Sequence, residues 1–192
     1  MYEDIFELII IAAQKRNLKE STSHRYCQAL TPFLKAINKP WQELSIEDAD
    51  DYLTTKRLAG IMPETYNHYY AALRFMYKRV LKINWNEDDI PRMRRDRSLP
   101  TILEKEEIDA ILEVTTNLKY KSIFAVMYSG GLRVSEATHL HYKDISRKSH
   151  SIHIHNTKNR MDRYTILADR TLDILTEYWY QCGRPRDILF PS

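Results

Sequence analysis

Apolar residues along this chain recur first at helical spacing. Residues 2–15 place Ile5, Phe6, Leu8, Ile9, Ala12 and Ala13 on one period, which predicts a first helix. Residues 22–37 repeat it with Tyr26, Leu30, Phe33, Leu34 and Ile37, and Pro32 inside that run is expected to kink or break the helix. Ser45 followed by Asp48 has the form of a capping box opening a third helix, which runs to about Leu58 and stops near Gly60. Pro63 suits the first turn of a fourth helix carrying Tyr66, Tyr69, Tyr70, Leu73, Tyr77 and Val80 to about Leu81. Four helices with short connections predict a compact helical domain over residues 1–88.

Periodicity then fails. Asn84, Asn86, Pro91 and Pro100 interrupt it, and Arg92, Arg94, Arg95 and Arg97 mark residues 89–100 as a solvated basic linker. A second domain is expected over 101–192. It has helical patterns at 104–115 and about 119–129, a stop at Gly130-Gly131, and a short helix at about Val134–Leu140. Ser-Ile-His-Ile-His at 151–155 alternates as a strand does, residues 163–167 are β-prone, and Asn156–Asp162 can turn between them, so the pair reads as a hairpin. A last amphipathic helix uses Leu172, Leu175 and Trp179. The fold class is mainly α, with a small antiparallel sheet in the second domain.

Charge sharpens this picture locally. The net charge is only +3, too small to imply a nucleic-acid partner by itself. Its distribution says more: residues 43–51 hold five acids and no base, residues 56–82 six bases against Glu64 alone, and residues 91–97 four arginines against one aspartate. The two cysteines, Cys27 and Cys182, are far apart, which predicts no disulfide framework and fits a reducing cytoplasm. The acidic residues Glu3, Asp4 and Glu7 break up the N-terminal apolar run, so no signal peptide is expected, and no stretch has the length of a membrane span.

The candidate chemistry lies around Arg133. It follows a Gly-Gly turn and opens a helix, a rigid place from which a guanidinium can meet two phosphate oxygens. Glu136 lies one turn on and can orient it. Lys158 sits in the expected hairpin turn, where an ammonium could protonate a leaving oxygen. His153 and His155 share one face of their strand. With no third ligand at a suggestive spacing they read as cross-strand or surface histidines, and no metal or cofactor is expected. Tyr178 and Tyr180 lack an arginine-histidine setting and read as packing or surface residues.

These segments resemble, in order, the tyrosine recombinases of the phage integrase family. Leu99-Pro100-Thr101-Ile102-Leu103 with Glu106-Glu107-Ile108 is similar to the opening of that family's catalytic domain. Ser129-Gly130-Gly131-Leu132-Arg133-Val134-Ser135-Glu136-Ala137 resembles its first arginine box. Asn156-Thr157-Lys158-Asn159-Arg160-Met161-Asp162-Arg163, followed by Tyr164-Thr165-Ile166-Leu167, resembles its lysine hairpin, and Leu189-Phe190-Pro191-Ser192 the strand end that comes next. Residues 1–88 resemble its helical, SAM-like core-binding domain.

The resemblance implies double-stranded DNA as partner, with cleavage through a 3′-phosphotyrosyl link that needs neither metal nor nucleotide. Arg133 would be the first catalytic arginine, Lys158 the general acid and Glu136 its structural support. Ser23, Arg25, Thr65, Asn67, His68, Arg74 and Lys78 would face the duplex from the helical domain, Arg94, Arg95 and Arg97 from the linker, and Arg160 and Arg163 from the hairpin. The family's His-x-x-Arg box, second His or Trp, and nucleophilic tyrosine follow the lysine hairpin and are not found in these 192 residues. The expectation is thus a truncated, DNA-binding form without cleavage activity of its own. The alternative is a stand-alone module that occupies sites or inhibits an intact recombinase. The family assembles as tetramers on DNA; without its C-terminal exchange helix, a monomer or weak dimer is expected.

Overall fold

The computed structural model describes residues 2–95, 99–155 and 161–191. The chain forms two units, Met1–Leu99 and Pro100–Ser192.

The first unit is built from α1 (Glu3–Gln14), α2 (Glu20–Ile37), α3 (Ile46–Leu58) and α4 (Pro63–Phe75), the last continuing as wider π-helical turns over Met76–Leu81. Ile5 and Ile9 meet Leu30, Phe33 and Leu34, together with Leu53, Tyr70, Leu73 and Tyr77, in one buried cluster. Of the tyrosines on the fourth helical pattern, Tyr66, Tyr70 and Tyr77 are buried, while Tyr69 is half-buried. Their polar ends are satisfied, Tyr77 Oη donating to the Ser45 carbonyl at 2.8 Å and Tyr66 Oη to the Pro91 carbonyl at 3.2 Å. The Ser45/Asp48 capping box opens α3 as expected, and Gly60 follows it at φ 70°.

Two expectations change here. Pro32 does not break α2, which is helical from Glu20 to Ile37. The flanking Leu30, Phe33 and Leu34 bury one face, and that burial outweighs the backbone hydrogen bond a proline cannot donate. Within the segment read as a solvated linker, Ile90 and Met93 pack back on the bundle, while Arg92, Arg94 and Arg95 are exposed as expected. Trp85 and Ile90 are buried, Trp85 Nε1 donates to Tyr70 Oη at 3.2 Å, and Asn67 brackets Met93 by donating to its carbonyl (2.8 Å) and accepting from its N–H (3.1 Å). Composition announced the arginines but not the apolar anchors between them.

The second unit comprises α5 (Lys105–Val114), α6 (Leu118–Gly130), α7 (Val134–Thr138), β1 (Ile145–Ser146), β2 (Ser151–Ile154), β3 (Arg163–Ile166) and α8 (Asp169–Gln181). The strands form an antiparallel sheet in the order β1-β2-β3. The hairpin register pairs Ser151 with Ile166 and Ile154 with Arg163, while the two-residue β1 had no sequence signal. Ile152 and Ile154 send one sheet face into a core with Ile123, Val126, Leu140, Leu175 and Tyr178. Tyr178 Oη donates to the Leu189 carbonyl at 3.0 Å, and Tyr180 is exposed. Gly131 ends α6 at φ 61°, in the left-handed region that favours glycine. Gly130 is closely packed: a Cβ there would sit 2.5 Å from Leu132 Cδ1, the end of a side chain that would have to shift, and 3.1 Å from Thr165 Cγ2. Thr165 Oγ1 donates to its carbonyl at 2.8 Å, so α6 and β3 meet at this point. Among the described residues no helix is long and apolar enough to cross a membrane.

Candidate nucleic-acid interface

The turn made by Gly130 and Gly131 sets Arg133 as the residue that caps α7. Its backbone N–H donates to Glu136 Oε2 (2.9 Å) and its guanidinium to Glu136 Oε1 (2.7 Å). From β3, Arg163 approaches the same carboxylate in a bidentate pair, to Oε1 at 3.1 Å and Oε2 at 2.9 Å, and also reaches the Gly131 carbonyl at 3.4 Å. The Glu136 side chain is only 7% exposed against 57% for Arg133, so the carboxylate is the buried anchor and the guanidinium the presented group. The Arg163 hydrogen bonds, followed by those from the Arg133 backbone and side chain, outweigh burial and lower the Glu136 carboxyl to about 2. Two guanidinium charges against one carboxylate leave an excess positive charge beside an exposed arginine, the complement of a phosphate oxygen pair.

Arg163 was expected to face phosphate. The structure gives it a different position, paired to Glu136 on the core side of β3 opposite Ile154. The period-two pattern of β2 contained this signal, since the residue opposite a buried isoleucine shares its face. Lys158, Arg160 and Arg97 lie outside the described residues.

In the helical unit the expected contacts sort by exposure. Arg25, Thr65, Arg94 and Arg95 are exposed, and His68 and Lys78 are half-buried. Arg25, His68, Arg92 and Arg95 line one hollow with Glu64 and Asn67. Burial, and then the charge of Arg25, push the His68 imidazole below its ordinary value. Ser23 and Asn67 are corrections. Ser23 is buried with its hydroxyl on the Glu20 carbonyl (2.8 Å), and Asn67 is occupied by Met93, so neither offers a free polar group outward. Arg74 is bound to Glu87, which cancels its charge locally. Arg92 was not among the expected contacts. Its guanidinium lies 5.1 Å above the Tyr70 ring, at the margin of the hollow.

A second polar cluster lies on the outer face of the sheet. His155 Nε2 is 2.9 Å from Asp144 Oδ1, its Nδ1 is 3.2 Å from Asp162 Oδ2, and the His153 ring centroid is 4.0 Å from that of His155. The third group missing from the sequence reading is therefore present, and it is buried Asp144, from the turn that leads into β1.

The phage integrase family model matches residues 101–192, and the model for the phage integrase N-terminal SAM-like domain matches residues 5–87. The integrase/recombinase y4qK of Sinorhizobium fredii, provisionally so named, is 31% identical over 93% of this chain and 58% of its own length. Tyrosine recombinase XerD of Yersinia pestis is 26% identical over 93% of this chain and 65% of its own. The chain thus spans less than two thirds of either relative. Two solved structures share the fold. One is the XerH site-specific recombinase bound to difH substrate in a pre-cleavage complex, with TM-score 0.66, 19% identity, and coverage of 98% of this chain and 62% of that one. The other is the Tn1549 transposon integrase in complex with circular intermediate DNA, with TM-score 0.63, 16% identity, and coverage of 98% and 71%. With both halves matched in order and the arginine box built as described, the chain belongs to the phage integrase family of tyrosine recombinases.

Proposed function

We propose that this chain binds duplex DNA as part of a site-specific tyrosine recombinase, with Arg133 gripping the phosphate at which the complete enzyme cuts. The observation that carries this reading is the Arg133–Glu136–Arg163 arrangement. A buried carboxylate shared by two arginines fixes the exposed one in advance, so little side-chain freedom is lost when phosphate arrives. Arg25, Arg92, Arg94 and Arg95 supply further backbone contacts from the helical unit, with Thr65 and His68 between them. Lys158, carried between β2 and β3, is the general acid of this proposal. DNA-bound structures among the fold neighbours support the partner class.

The 192 residues hold Arg133 and Lys158 but not a His-x-x-Arg sequence, so binding without cleavage is expected of them. Incubation with a nicked suicide duplex, followed by denaturing electrophoresis, should show no covalent protein–DNA band; such a band would overturn this part of the proposal. Anisotropy titration of a labelled duplex should show binding that weakens steeply with salt. Binding that salt leaves unchanged would remove DNA as the partner. The second role, occupying sites to inhibit an intact recombinase, predicts that added chain slows recombination by a complete relative sharing its site.

A further inference from the structure

We propose that Asp144, His153 and His155 form a binding site for a divalent transition metal, with Zn2+ the best match. Strand register brings these residues together. β1 and β2 pair Ile145 with Ile152, so one step further sets Asp144 opposite His153. β2 and β3 pair Ile154 with Arg163, so one step further sets Asp162 opposite His155. Four potential ligands thus share one face at one end of a three-stranded sheet, although no two of them are closer than two residues in sequence.

The distances suit an ion. One donor atom from each of Asp144, His153 and His155 lies within 4.8 Å of the others. A tetrahedral shell with bonds of about 2.0–2.1 Å needs donors about 3.3 Å apart, so the donors close by at most about 1.5 Å when an ion binds. The surroundings of each ligand are also formed. Asp144 is 4% exposed, and its Oδ2 accepts from the His141 backbone N–H at 2.9 Å, leaving Oδ1 turned toward His155. His153 is stacked on Tyr164, with centroids 4.4 Å apart and planes 9° apart. Asp162 Oδ2 lies 3.2 Å from Nδ1 of His155, which directs Nε2 to Asp144 and the ion, a carboxylate–histidine–metal relay. Two imidazoles and a carboxylate select zinc-like ions over magnesium or calcium, which take oxygen ligands.

The site has a structural consequence through chain connectivity. His155 and Asp162 stand at the two ends of the stretch that carries Lys158. An ion held by Asp144 and His155 ties the first of these ends to the turn before β1, and Asp162 joins it through His155 Nδ1. The reading does not depend on DNA binding.

The test uses tag-free full chain, stripped with chelator and titrated with zinc sulfate against a chromophoric zinc indicator. One equivalent should bind. His153→Gln and His155→Gln should each weaken binding about tenfold or more, while His150→Gln, at the other end of β2, should not. Cobalt(II) in place of zinc should give the visible absorption of a tetrahedral site, lost in His153→Gln. Circular dichroism checks that each variant folds. The two variants are scored separately, so a folded His153→Gln keeps the test decisive if His155→Gln does not fold. Absence of a bound equivalent, or affinity unchanged in folded His153→Gln, would overturn the proposal.

Discussion

At the scale of single residues, Glu136 organises the arginine site. Its carboxyl is held at about 2 against an ordinary value of 4.5. A depressed folded-state value means the stabilisation is fully present above the unfolded-state value and is lost as pH falls toward about 2. Replacing Glu136 by Gln leaves two guanidiniums facing each other without a counter-charge, which should cost about 3 kcal/mol at neutral pH. Urea midpoints for the two proteins should therefore stay apart above about pH 4.5 and converge as pH falls from there toward about 2; a gap independent of pH would show that the carboxylate's charge is not what matters. Arg133→Ala removes an exposed partner and should lower stability by less than about 1 kcal/mol while weakening duplex binding. The sequence made Arg133 and Glu136 legible because both lie in one nine-residue segment, Ser129 to Ala137. Arg163 was misplaced because its partner is 27 residues away and only the strand register brings them together. Asp144 was missed for the same reason, being contributed by a turn that has no periodicity to read.

At the scale of elements, helices were legible wherever a buried face repeats over several turns. The hairpin was legible where Ile152 and Ile154 alternate with polar residues. The two-residue β1 is too short to carry a pattern, and the return of Trp85 and Ile90 to the first core was hidden among breakers and arginines. Pro32 shows packing prevailing over local preference, and it leaves a test. Pro32→Ala restores a backbone donor to α2 and should raise stability by about 1–3 kcal/mol; a lower melting temperature would mean the ring itself is packed to advantage. The two glycines before Arg133 should separate by mechanism. Gly131→Ala pays only for a left-handed alanine, about 1 kcal/mol. Gly130→Ala forces α6 from Leu132 and β3 and should cost about 1–3 kcal/mol. Because the Gly131 carbonyl receives Arg163, the Gly130 variant should also weaken DNA binding. Equal losses in thermal melts would contradict this distinction.

At the scale of the whole molecule, each unit has its own apolar core. Residues 1–99 alone should fold cooperatively, with helical circular dichroism and a sharp melt. A broad, non-cooperative melt would show that the bundle needs the second unit. Basic charge is concentrated rather than general, with a net charge of only +3, so the strength of DNA binding should depend on a few placed arginines. The most direct test is the salt dependence of duplex affinity for the full chain and for Arg133→Ala. A log–log slope of about −3 or steeper is expected for the unaltered protein, and a slope shallower by about one in the variant, with weaker binding throughout. Identical slopes and affinities for the two proteins would contradict the assignment of Arg133 to a phosphate.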